Sequence, residues 1–213
     1  MNRIIVFALM FFCMTMQIEA QTLSEEEVTA KMYQAFELNK AAKKAEALEL
    51  FLIVGENTKQ QRNEGERQVY VCSQTMACQC YELLGRYKEG YLLGKSLLQG
   101  KLNDTERKDV GHLYAMNGYM YACEFIQRDE KGRADYKRGR ELISEILPYS
   151  DGQVKEYAET KIPLSWYFEG AQYAMTQSYD EALSSYEEAL NGFRDLGRVS
   201  EEVDVLSGIA SVK

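Results

Sequence analysis

His112 is the only histidine among 213 residues. Any Ser-His-Asp or Cys-His nucleophilic arrangement would have to use that one imidazole as its base. Its place in a helical stretch reads instead as a surface or groove-lining side chain. Five cysteines are present, one of them (Cys13) within the apolar N-terminal run. Cys72, Cys78 and Cys80 fall on one predicted helix, where spacings of six and eight put their Cα atoms roughly 9 and 12 Å apart. That exceeds disulfide reach within the helix. Cys78-x-Cys80 is not a zinc spacing, and one histidine cannot complete a ligand set. Small buried residues are the favoured reading, with a Cys80–Cys123 pair across neighbouring helices open as the alternative. Glu25-Glu26-Glu27, Asp129-Glu130 and Glu187-Glu188 are adjacent in sequence, so their carboxylates diverge around a helix and read as solvated charge. No glycine-rich phosphate loop joins a strand to a helix. No catalytic residue, metal ligand or cofactor site is therefore expected, and the chain reads as a non-enzyme.

The formal net charge is −8. Phosphate binding needs a basic face, and none stands out, so nucleic acid is excluded as an expected partner. The chain opens with Arg3, an apolar run from Ile4 to Met16, and Ile18-Glu19-Ala20 before Gln21. A basic start, a short apolar core and a small-residue site describe a secretory signal peptide over 1–20. The run is shorter than the roughly 20 residues a membrane span takes. Phe11 and Phe12 precede Cys13 where a lipobox has small residues, which argues against a lipid anchor. Export to the periplasm or outside the cell is the expectation, with 21–213 as the mature domain.

The rest of the chain reads as helices. Ser24 with Glu27 forms a predicted capping box for a first helix reaching about Asn39. A second helix follows the turn at 41–44 and is expected to break at Gly55-Glu56-Asn57. Helix resumes near Glu66. Gly85-Arg86-Tyr87 makes a turn, and the next helix carries Gly90 and Gly94. Each glycine weakens it by about 1 kcal/mol relative to Ala, so a neighbour must pack on the bare backbone. Asn103 caps the following helix, and another runs roughly 134–147 until Pro148. The segment from Asp151 is expected to kink or restart at Pro163, because Ile162 is pushed from helical angles. Gly197 closes the helix after it.

The clearest pattern lies between Trp166 and Leu190. Trp166, Gly170 and Tyr173 share one helical face; Ala182, Tyr186, Ala189 and Leu190 share another. Small residues alternating with rings let two helices approach closely. This stretch resembles a tetratricopeptide repeat, whose signature has that order of aromatic, Gly, Tyr, Ala, aromatic and Ala. Tyr114, Gly118 and Tyr121 repeat the first half. Ala35 and Leu38 with Ala47, Phe51 and Val54, and Cys78 and Tyr81 with Gly90, Gly94 and Leu97, are weaker copies. The glycine-equivalent positions Ala35, Cys78, Gly118, Gly170 and Ala210 recur at 43, 40, 52 and 40 residues, longer than the family's period of about 34. The consensus Leu and the terminal Pro are absent. Repeats are expected at about 25–57, 66–100, 105–148 and 152–196, with a partial fifth at 199–213.

The resemblance implies an all-α, right-handed superhelical solenoid of antiparallel helix pairs, whose first helices line a concave groove. Carried over by position, the groove comprises Met32, Phe36, Asn39, Thr75, Gln79, Glu82, His112, Ala115, Tyr119, Tyr167 and Ala171. A protein or peptide partner is the expected occupant. The Lys and Asn clamp by which some members hold a peptide C-terminus is missing. Contact between neighbouring first helices is the alternative role for Tyr119 and Tyr167. Val199, Val203, Leu206 and Ala210 form one apolar stripe of the last helix, and Val205, Ile209 and Val212 a second. A terminal helix should keep a wet face, so a further helix is expected to follow. The chain also resembles the exported repeat region of Bacteroidetes-type sensor and regulator proteins. By that likeness it is the periplasmic portion of a membrane-bound histidine kinase or helix-turn-helix regulator. A membrane would be involved only through a missing C-terminal part.

Overall fold

Among the described residues four helices begin at a side chain that accepts from a first-turn amide: Ser24 from Glu27, Asn63 from Glu66, Asn103 from Glu106 and Asp135 from Arg138. The computed structural model describes residues 23–127 and 134–213. The expected signal peptide, Cys13 and the Asp129-Glu130 pair lie outside the described residues. Nine α-helices occur among the described residues, without a strand: α1 (Glu25–Lys40), α2 (Lys44–Thr58), α3 (Glu64–Leu83), α4 (Tyr87–Leu98), α5 (Asp104–Ile126), α6 (Tyr136–Ile146), α7 (Gly152–Met175), α8 (Tyr179–Asp195) and α9 (Val199–Val212). Ser24 Oγ accepts from Glu27 N at 3.2 Å while Glu27 Oε2 accepts from Ser24 N at 2.8 Å. Asn103 and Glu106 form the same reciprocal box before α5, both bonds at 2.9 Å. Gly85 at φ 69° and Gly197 at φ 65° turn the chain after α3 and α8, a conformation that costs glycine little.

Consecutive helices pack against one another, and α3, α5 and α7 also touch in sequence. The core follows the helix pairs. Ala35, Ala47, Phe51, Ala77 and Cys80 fill the first part without exposure. Tyr91, Tyr114, Ala115, Leu142, Ile143 and Ala158 belong to the central part, and Ala182, Tyr186, Ala189 and Phe193 to the last. Gly118 meets Ile146 Cγ2 at 2.5 Å and Gly170 meets Tyr186 Cδ1 at 2.8 Å, measured from where a Cβ would stand. Cys78 and Tyr81 are buried, whereas Leu38, Tyr121, Trp166 and Tyr173 are half-buried at the edges of these clusters. Ala210 is exposed, so the fifth glycine-equivalent position does not share the burial of the other four.

Three expectations need correction. The break at Gly55-Glu56-Asn57 does not occur, and α2 runs to Thr58. The buried Gln74 side chain of α3 lies against bare Gly55, where even a methyl would collide, and its Nε2 donates to Phe51 O at 3.5 Å. A tertiary contact thus compensates a weak helix former. Pro163 neither ends nor restarts its helix, since α7 is continuous from Gly152 to Met175 with Pro163 buried inside. Gly192 of α8 makes room, its Cβ position lying 2.8 Å from Pro163 Cβ. Pro148 does stop α6, which passes into a 3-10 turn over Leu147–Tyr149. Finally, Cys72 is exposed, while Cys78, Cys80 and Cys123 are buried; all four thiols are free.

Candidate functional site: the face of α3, α5 and α7

The first member of each helix pair can present a shared face only if these helices run parallel and in register. Two contacts with the same 39-residue offset set α3 against α5. Arg67 Nη1 and Nη2 donate to Glu106 Oε2 and Oε1 at 2.8 and 3.0 Å. Asn117 Nδ2 donates to Cys78 O at 3.3 Å. The register continues into α7, where His112 Nδ1 lies 3.0 Å from Asp151 Oδ1, again 39 residues on. The Tyr119 and Tyr157 rings stack with centroids 6.3 Å apart. Offsets of 39 between α3 and α5, and of 39 and 38 from α5 to Asp151 and Tyr157, mean that the three helices run parallel.

That register decides where the expected groove residues stand. Thr75, Gln79 and Glu82 are half-buried along α3, with Thr75 Oγ1 donating to Val71 O at 2.7 Å. His112 is exposed beside Asp151, and Tyr119 is half-buried against Tyr157. Ala115 has no exposure and lies in the core beneath this face. Met32 and Phe36 of α1 meet Val69 of α3 across a cleft of about 290 Å³ that Val28, Thr29 and Tyr33 complete. Asn39, half-buried at the end of α1, accepts Lys44 Nζ at 2.6 Å. Tyr167 is half-buried with its ring 5.8 Å from Tyr186 and 5.7 Å from Phe168. It and Ala171 pack against the α8 cluster.

Tyr157, Lys161, Leu164, Phe168 and Met175 went unnoticed in the sequence, although steps of four, three, four and seven place them on one face of α7. Tyr157 is 51 % exposed, Phe168 39 % and Met175 75 %. Expecting a break at Pro163 cut this stripe in two. Read through the proline, the spacing would have shown it.

Glu82 is electrostatically distinct. Among the described residues it is the one carboxylate below full exposure that has neither an ion pair nor a side-chain hydrogen bond. The other half-buried acids among the described residues are ion-paired: Glu66 with Arg62, Glu89 with Arg86, Glu106 with Arg67, Glu145 with Lys95, Glu159 with Lys155, Glu169 with Arg140, Glu201 with Arg198 and Glu202 with Arg194. Burial raises the Glu82 carboxyl above its ordinary value, and the field of His112 opposes this only in part. Burial also raises the Tyr119 phenol and the Cys123 thiol. Among the described residues no group of three potential ligands could hold a metal ion, and no helix is long and apolar enough to cross a membrane. No family model matches the chain, and no curated protein matches it.

Proposed function

We propose that the protein is a non-catalytic scaffold that binds a protein or peptide segment outside the cytoplasm, in a concave groove of a tetratricopeptide-like solenoid. The supporting observation is the parallel packing of α3, α5 and α7, along which Thr75, Gln79, Glu82, His112, Tyr119 and Tyr157 all stay at least partly exposed. Exposed rings on a rigid helical surface suit an extended peptide or an amphipathic helix, because they bury large area at little entropic cost. Export rests on the N-terminal residues 1–20, whose pattern is that of a signal peptide. Capture of an amphipathic helical peptide, followed by fluorescence anisotropy, tests the groove. Tyr119→Ala with Tyr157→Ala should weaken capture while the helical circular dichroism stays constant. Unchanged capture would remove the groove from consideration.

The last helix favours a second reading. Val205 is fully buried against α8, but Val199, Val203 and Leu206 are 68, 61 and 45 % exposed. An apolar stripe of this kind suits a further helix packed on α9. In this reading the repeats are the periplasmic sensor of a larger membrane-bound signalling protein, a histidine kinase or a helix-turn-helix regulator. The coding sequence after Lys213 discriminates. About 20 apolar residues followed by an output domain would select the sensor, and an immediate stop would reject it.

A further inference from the structure

The last helix carries two apolar faces, and α8 covers one of them. By helical spacing Val205, Gly208 and Val212 share the side of α9 that lies on α8. Val205 is buried there, and a Cβ on Gly208 would stand 2.9 Å from Tyr186 Cζ. Val199, Val203, Leu206 and Ala210 share another side, and all four are exposed. Their steps of four, three and four are those of the inner positions of a two-helix coiled coil. The order of steps also reads the same in both directions. An antiparallel copy of α9 therefore meets this side in register, with Val203 opposite Leu206 and Val199 opposite Ala210 of the second copy. The larger Val199 then fills the space over the small Ala210, and the symmetry-related pair does the same at the other end. A parallel copy would set Ala210 on Ala210 and leave a gap.

Charge agrees with this pairing. Ser200 and Ser207, both exposed, border the seam on one edge. On the other edge the nearest acid is Glu202, which Arg194 of α8 holds at 3.3 Å. Glu201 and Asp204 fall behind these edges by the same helical spacing. Two such seams meet without setting like charge on like charge. We infer that the exposed side of α9 is a dimerisation seam whose occupant is α9 of a second copy of this chain, antiparallel about a two-fold axis between Val203 and Leu206. The second copy stands where the sensor reading above places a following helix. From Val199 to Ala210 the seam runs only about 16 Å, which puts it among the small, weak interfaces. A dissociation constant on the order of 10–100 μM is expected.

Sedimentation velocity on the full chain at about 1 to 300 μM reads the association. Dimer should form in the upper part of that range. It should strengthen with added salt, because two chains of net charge −8 repel one another. Val203→Glu should weaken the dimer at least about tenfold while the helical circular dichroism stays constant. Val199→Asp and Ala210→Lys should each weaken it, and the double variant should recover it, because antiparallel pairing sets each new carboxylate against a new ammonium. Parallel pairing would set like charges together instead. A double variant no stronger than the weaker single one would overturn the antiparallel assignment. A dimer that Val203→Glu leaves intact, or that salt dissolves, would place the association on another face and overturn the inference. A monomer at every concentration would overturn it as well and leave the stripe to a following helix.

Discussion

Arg140 lies flat on Trp166, its Cζ 3.4 Å from the ring centroid, and its Nη2 donates to Glu169 at 2.7 Å while Nη1 reaches Ser165 Oγ at 3.3 Å. Arg140 belongs to α6 and the other three to α7, so one guanidinium ties two helices by stacking and by charge. The side chains of Arg140 and Glu169 are only 11 and 17 % exposed. Arg140→Ala would leave Glu169 unpaired and should cost about 2–4 kcal/mol. Trp166 is the only tryptophan, so its fluorescence reports both the melt and the lost stack. Arg140→Lys should recover only part of the loss, because an ammonium cannot stack as a plane. Full recovery would show that charge alone matters.

Gly90 and Gly55 should reverse the usual sign of a helix substitution. Replacing glycine by alanine within an exposed helix gains about 1 kcal/mol. At Gly90 a methyl would run into the buried Asn117 side chain, and at Gly55 into that of Gln74. Gly90→Ala and Gly55→Ala should therefore lower stability by about 1–3 kcal/mol. Chemical denaturation monitored at the tryptophan provides the measurement. A stabilised Gly90→Ala would mean that Asn117 can move aside without cost.

Gly170→Leu should be worse still. Tyr186 and the Ala182 carbonyl lie 2.8 and 3.2 Å from the Cβ position, so added bulk forces α7 and α8 apart. A loss of at least about 1–3 kcal/mol is expected. Parent-like melting would show that these helices do not need their close approach.

The salt link between α3 and α5 predicts an acid sensitivity. The Arg67 guanidinium, aided by the Asn103 amide, holds the Glu106 carboxyl below its ordinary value of 4.5. A carboxylate lowered in the folded state contributes stability above that ordinary value and loses it as pH falls through the folded one. Wild type should lose melting temperature progressively below about pH 4.5, and Glu106→Gln should lose less over the same range. Parallel curves would remove Glu106 from the acid response.

Glu82 predicts the opposite sign. Burial raises its carboxyl, so the folded protein is penalised once pH rises through that raised value. Glu82→Gln should therefore melt higher than wild type at pH 7, with the gain shrinking below the ordinary carboxylate range. If the variant melts lower at pH 7, the carboxylate already has a favourable environment.

Local chemistry was readable from the sequence. Ser24 with Glu27, and Asn103 with its acidic first turn, announce helix starts, because a capping side chain and the amides it serves lie within three residues. Gly85 and Gly197 announce turns for an equally local reason. The small-large alternation of Trp166, Gly170, Tyr173, Ala182 and Tyr186 announced close packing of a helix pair, which Gly170 against Tyr186 displays. What the tertiary structure alone decided involves residues far apart in the chain. Gly55 stays helical because Gln74 covers it, and Pro163 stays inside α7 because Gly192 yields space. The register of α3 and α5 likewise depends on Arg67 meeting Glu106 and Asn117 meeting Cys78. Glu82 could be placed on a face from its spacing, yet its lack of a counter-ion among the described residues could not be read there. Pairing of charges is settled by distance in the folded chain, and sequence spacing reports that distance only within a helix turn or two.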